Sequence, residues 1–381
     1  MRIWSRRKTI GLILVSAAAI AGIIIGISMP RRLAIPTNIR EILGVTHVAG
    51  KYNIGNTTGD YLNQGADTIL DLGSRTIKLW FHDPKSDYPF NSAWPESFSS
   101  LVEMAQHPYF QAVFHKPFIT YILMVYSLGR SDHYWTAGIS QAEEDDEQLQ
   151  FYELTKYFLT NFTGTNKTFI FQHWEGDWAI RGSYNASQDP TQTAIDGMVA
   201  WLNARQAGVD QARNEAGENG IHVYHAAEVN LVAQAMDEGK PCVVNRVLPN
   251  TTIDLVSYSS WDTEWRGADF RRALDFIAQN MPDNSAFGDK NVYVGEFGWP
   301  ENGNPLFRVQ GTITNVVETG ISWGAPYIVY WQVFCNEPVR EPVTGNDDCR
   351  GFWLVRPDGS KAWAWDYFQD LFDEVQASTS A

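Results

Sequence analysis

The stretches that decide this chain are Phe171-Gln172-His173-Trp174-Glu175-Gly176-Asp177-Trp178 and Tyr293-Val294-Gly295-Glu296-Phe297-Gly298-Trp299-Pro300. Each is an apolar run that reads as a buried strand and ends abruptly in a carboxylate beside Gly and Trp. An ionised carboxylate is costly to desolvate, and the end of a buried strand has no structural need for one. Such a group sits there when chemistry uses it. The question is therefore what fold brings two strand ends of this kind together.

Working outward, apolar runs of strand length recur at 42–48, 76–81, 118–126, 168–173, 222–226, 253–258, 291–295 and 327–333. They are rich in Val, Ile, Tyr and Phe without clean alternation, as strands covered on both faces are. Segments of helical period lie between them. In 191–216, Ile195, Met198, Val199 and Leu202 fall on one stripe and Gly217 follows the end. Residues 268–281 stop at Pro282, and 307–321 and 363–375 follow the later strands. Strands alternating with helices predict a (β/α)8 TIM barrel. An open doubly wound sheet is the runner-up, weakened by the lack of a Gly-x-Gly-x-x-Gly turn or phosphate loop.

The net charge of −15 and pI near 4.9 argue against nucleic acid as a partner. The N-terminus reads as a separate unit. A basic tail (1–8, with Arg2, Arg6, Arg7 and Lys8) precedes an uncharged segment, 9–29, which Arg31 and Arg32 close. That length suits a bilayer-spanning helix, and the basic tail places the N-terminus inside. The expectation is a transmembrane signal anchor, a linker over 30–40 and a catalytic domain over 41–381 held outside the cell membrane. Cleavage near Ala19-Ile20-Ala21 would release it as a secreted protein. Outside the membrane, Cys335 and Cys349, which flank a polar loop, could close a disulfide and leave Cys242 over, the alternative being three free thiols. The acidic run 140–150 reads as a solvated helix start.

In a barrel of this kind the active site lies at the C-terminal ends of the strands. Reading those ends gives His47; His82 and Asp83; Tyr126; Glu175 and Asp177; His225 and Glu228; Tyr258 and Trp261; Glu296 and Trp299; and Trp331 with Gln332. Polar and aromatic side chains thus converge on one face. Asp177 shares a face with Glu175 and competes with it as an acid, and Glu228 reads as a rim or subsite residue.

On these residues the chain resembles the retaining glycoside hydrolases of clan A, with Tyr293–Gly298 similar to that superfamily's nucleophile strand. The resemblance implies a catalytic pair, Glu175 as acid/base and Glu296 as nucleophile, acting on a carbohydrate with no cofactor and no metal. It also implies that Trp331 floors the subsite at the scissile bond and that Tyr258 hydrogen-bonds the nucleophile. Trp174 stands where family members usually carry an Asn that contacts the sugar 2-hydroxyl, which leaves that contact to His173 or Gln172. His47, His82, Trp174, Asp177, Glu228, Tyr258, Trp261, Trp299 and Trp331 are the expected substrate-binding set. Two other classes compete: a non-catalytic carbohydrate-binding barrel, and a metal-dependent hydrolase built on His47, His82, Asp83 and His225.

Overall fold

In the computed structural model, residues 33–55, 59–217, 219–284 and 286–379 are described. Eight parallel strands close a barrel in chain order: β1 (Leu43–His47), β2 (Thr76–Phe81), β3 (Thr120–Val125), β4 (Thr168–Gln172), β5 (His222–Val229), β6 (Leu255–Ser259), β7 (Val292–Phe297) and β8 (Ile328–Tyr330). The expected anchor, 9–29, and its basic tail lie outside the described residues. Among those described, no helix is long and apolar enough to cross a membrane. The expected linker ends inside a single helical turn, Ile39–Ile42, whose Ile39 is already buried.

The strands lie where the apolar runs put them because both faces are covered. Their outward pleats pack on the helices in one large core, and Phe169, Phe171, Val256 and Tyr258 belong to it. Their inward pleats fill the barrel with a smaller apolar cluster: Ile122, Ile170, Ala226, Leu255, Tyr293 and Val329. Two residues further along three of these strands the interior turns polar, at Gln172, Glu228 and Ser257, since side chains two apart share a face. That polar layer underlies the site.

The helices follow ordinary rules. Helix Gln192–Ala216 is capped by the Thr191 hydroxyl, which accepts from Ala194 N at 3.1 Å. It packs on helix Gln141–Asn161, closely enough that a Cβ at Gly208 would meet Gln148 O at 2.2 Å. The acidic run does open a helix, with Ser140 and Glu143 forming a capping box. It is not wholly solvated: Glu147 is buried, 2.8 Å from the Arg205 guanidinium and 2.6 Å from Ser127 Oγ.

Cys335 and Cys349 are both buried, but as free thiols, with Cys335 Sγ accepting from Glu337 N at 3.4 Å. The expected disulfide is therefore not formed in this structure. Cys242 is a third buried thiol, near Arg181.

Candidate active site

Glu296 is on the last turn of the β7 pleat and fully enclosed. The Lys78 ammonium of β2 reaches Oε1 at 2.8 Å. Ser259 Oγ lies 3.1 Å from Oε2, and Trp261 Nε1 donates to the same oxygen at 3.3 Å. Burial raises the Glu296 pKa to about 7, while Lys78 and Ser259 pull it down. Three donors around one carboxylate favour its ionised form.

Glu175 follows β4 at the start of the short helix Gly176–Arg181. Its backbone is left-handed, with φ 32°. A non-glycine residue there costs on the order of 1–3 kcal/mol and persists because its surroundings impose it. The imposing contact is Glu228, whose Oε1 accepts from Glu175 N at 2.9 Å. Glu175 Oε1 is 3.0 Å from Ser259 Oγ. Burial, then the charges of Glu296 and Glu228, push its pKa up to about 9.

One hydroxyl therefore bridges the two carboxyl groups, at 3.0 and 3.1 Å. The bonded oxygens are therefore closer together than the sum of those two lengths.

Several expected site residues have other work. Glu228 is not a rim residue. It is fully buried below the pair, accepting from Lys78 Nζ at 3.2 Å, Gln172 Nε2 at 2.9 Å and Ser257 Oγ at 2.6 Å. Asp177 does not share the Ser259 hydroxyl with the other two carboxyl groups. It is fully buried, its oxygens taken by Asn230 N, Leu231 N, Val243 N and the Arg181 guanidinium. Tyr258 does not touch the nucleophile. The barrel's alternation sends it outward, where its hydroxyl meets Asp262 Oδ1 and Thr263 Oγ1 at 2.5 and 2.6 Å. His47 also lies on an outward pleat, its Nε2 2.9 Å from Tyr61 O and its ring packed on Tyr61, Tyr88 and Phe334. Trp299 joins the outer core under the Arg308 guanidinium.

Neither expected substitute for the missing Asn is available. His173 Nε2 accepts from Glu228 N, and burial lowers the ring's pKa to about 4. Gln172 is spent on Glu228 and Tyr293. The metal reading fails on geometry, because His47 and His225 face the outer core on different strands. Among the described residues, no group of three or more His, Cys, Asp or Glu side chains is placed to hold a metal ion.

What does converge is an aromatic wall. Trp331, Trp261, Phe352 and Trp80 form one cluster with Val48, and Trp80 meets Trp331 edge-on at 5.5 Å. Beside Glu175, which helps to line it, a cavity of about 320 Å³ is bounded by Tyr126, Asp132, Trp174, Trp178 and Tyr184. His82 stands at this rim, 3.3 Å from Asp132 Oδ1, with its pKa raised by that partner against the lowering effect of burial.

Lys78, Trp80 and Ser259 were missed from sequence. Lys78 had a readable signal: a lysine inside Thr76-Ile77-Lys78-Leu79-Trp80-Phe81 is as costly to bury as a strand-end Glu. Trp80 follows on the same inward face.

No family model matches this chain, and no curated protein sequence resembles it. Solved structures do share its fold. An exo-β-1,4-mannosidase from Opitutaceae bacterium strain TAV5 superposes with a TM-score of 0.54 at 13% identity, over 88% of this chain and 60% of its own. The chain thus spans less than two thirds of that enzyme. A GH5_18 protein from Streptomyces cattleya, in complex with Manβ1-4GlcNAc, gives 0.55 at 11% identity over 87% of this chain and 80% of its own. A Bacteroidetes-affiliated GH5 cellulase gives 0.50 at 13% identity over 88% and 91%. At such identities the likeness is one of fold: this chain and those structures share a closed (β/α)8 barrel.

Proposed function

We propose that the chain is a glycosidase cleaving β-glycosidic bonds of an oligo- or polysaccharide with retention. The observation that carries this reading is the pair of buried carboxyl groups on one serine hydroxyl, one ion-paired with a lysine and the other pushed well above the ordinary carboxyl range by burial and by its acidic neighbours. Aromatic side chains near each carboxyl, Trp261 at Glu296 and Trp174 and Trp178 in the cavity with Glu175, support it as surfaces on which sugar rings stack.

In the first half-reaction a Glu296 oxygen attacks the anomeric carbon. The glycosidic C–O bond breaks, and the leaving oxygen takes the Glu175 proton. The Glu296 charge disappears as the ester forms, which removes one cause of the high Glu175 pKa. Glu175 then accepts a proton from water, or from a sugar hydroxyl in transglycosylation, as that oxygen attacks and the ester bond breaks. Glu296 leaves as the carboxylate and Glu175 is protonated again.

A screen of aryl β-glycosides and β-linked polysaccharides tests the reading. Turnover in the wild type that is lost in Glu296→Gln supports it. Saturable glycan binding without turnover under any pH would favour the carbohydrate-binding alternative. Membrane anchorage through 9–29 belongs to the same proposal. The protein should fractionate with membranes, and a version lacking 1–35 should not.

A further inference from the structure

Ser259 offers a single proton to two carboxyl groups. It ends β6, is fully buried, and has Glu175 Oε1 at 3.0 Å on one side and Glu296 Oε2 at 3.1 Å on the other. If both carboxyls were ionised, one contact would be oxygen against oxygen with no hydrogen between. The geometry is satisfied when one carboxyl carries the proton and donates it to Ser259, which donates its own to the other.

The surroundings decide which is which. The ionisable groups facing this hydroxyl are Lys78 of β2, Glu228 of β5, Glu296 of β7 and Glu175 after β4, with the Tyr293 hydroxyl behind Glu228. Lys78 and Trp261 both donate to Glu296, so Glu296 is the charged partner. The chain runs from the Glu175 acid to Ser259 to the Glu296 carboxylate.

The backbone is shaped for this. The β6–β7 register shifts between Tyr258 and Ser259, so that Ser259 pairs with Glu296 and Gly295 is skipped. Such irregularities re-aim side chains at barrel rims. A Cβ at position 295 would lie 1.7 Å from Ser257 Oγ, so glycine is required where β7 passes the serines.

Resting on the glycosidase reading, we infer that Ser259 is a positioning residue whose hydroxyl reverses its hydrogen bond between the two half-reactions. Before attack it donates to Glu296 and accepts from Glu175. Once Glu296 is esterified, that oxygen is no longer anionic. Ser259 then turns its proton to Glu175, steadying the carboxylate that acts as base. Substrate enters by replacing Ser259 as acceptor of the Glu175 proton. The proton transferred is always that of Glu175 or of the attacking water, and Ser259 keeps its own. Each arrangement favours the protonation state its half-reaction needs, so the serine holds the two carboxyl pKa values apart.

The test needs no substrate. In infrared spectra of the whole protein at neutral pH, the difference between wild type and Glu175→Gln should contain a protonated-carboxyl band, the contribution of buried Glu264, whose pKa burial also raises, cancelling between the two. In Ser259→Ala that band should move in frequency and titrate away at lower pH, and Ser259→Thr, which keeps the hydroxyl, should restore it. An identical band and titration in wild type and Ser259→Ala would overturn the inference. No protonated-carboxyl difference between wild type and Glu175→Gln would overturn the assignment of Glu175 as the proton holder. With an active substrate, Ser259→Ala should lower kcat by roughly 10–100-fold, the scale of one hydrogen bond to a charged group. Its bell-shaped pH profile should narrow on both limbs. Unchanged width with Glu296→Gln inactive would refute the Ser259 role alone. Full activity in Glu296→Gln would refute Glu296 as nucleophile, and no turnover of any glycoside by the wild type would refute the glycosidase reading itself.

Discussion

The Lys78 ammonium and the Glu296 carboxylate meet at 2.8 Å with both side chains withdrawn from water. The same ammonium is 3.2 Å from Glu228, so one cation serves two buried anions. Glu228 in turn holds the strained backbone of Glu175. The two proposed catalytic carboxyls are thus linked through the barrel interior as well as through Ser259.

Removing that cation should therefore be costly. Lys78→Met leaves two buried carboxylates without it, and breaking a buried pair costs about 3–5 kcal/mol. The carboxyls relieve part of this by taking up protons. The variant should unfold at lower denaturant concentration at pH 8 than at pH 5, and activity at neutral pH should fall because Glu296 is no longer held ionised. Urea titrations at the two pH values check the first point, and a pH–rate profile checks the second.

Glu175 should be a stability liability at neutral and alkaline pH. Its pKa rises from 4.5 to about 9 on folding, with burial as the first cause. Between those values the folded state binds a proton that the unfolded chain has lost, so this group's contribution falls as pH rises. Glu175→Gln carries no such dependence. Relative to wild type it should gain on the order of 1 kcal/mol per pH unit through that window, while losing roughly 10²–10⁴-fold in activity. A stability gap between the two proteins that is the same at pH 5 and pH 8 would contradict the assignment.

Asp177 should prove structural despite lying two residues from Glu175. Its carboxylate collects three backbone N–H groups and Arg181. Asp177→Asn should cost about 2–3 kcal/mol, as loss of hydrogen bonds to a buried charge does. The fraction that stays folded should keep the wild-type pH profile, whereas an acid/base variant would lose its basic limb.

Trp261 should act on the reaction through the nucleophile. Trp261→Phe keeps most of the ring but loses the 3.3 Å donor to Glu296 Oε2. A fall in kcat of roughly tenfold is expected for one long hydrogen bond to a carboxylate. Steady-state kinetics separate this from a pure stacking role, which would raise KM and leave kcat alone.

The barrel was legible in the sequence because strands covered on both faces leave runs of Val, Ile, Phe and Tyr, and eight of these fell where strands lie. The two glutamates were legible because a charge at the end of such a run has no structural excuse. Side-chain direction was harder. Tyr258 and Ser259 are neighbours, and one pleat decides that the first faces the outer core and the second the carboxyl pair. A register shift at that same point is invisible in composition. Glu228 looked like a rim residue and Asp177 like a competing acid because sequence places a carboxylate near a strand end without telling whether backbone amides or a lysine await it. Trp299 and His47 failed for the same reason as Tyr258.

The most direct test of the account is to incubate the protein with 2-deoxy-2-fluoro β-glycosides bearing good leaving groups and to measure its intact mass. The account predicts a stable mass increase of one fluorosugar, mapped by peptide analysis to Glu296 and absent in Glu296→Gln. Turnover of the parent β-glycosides with inversion at the anomeric carbon, and no adduct on Glu296, would contradict it.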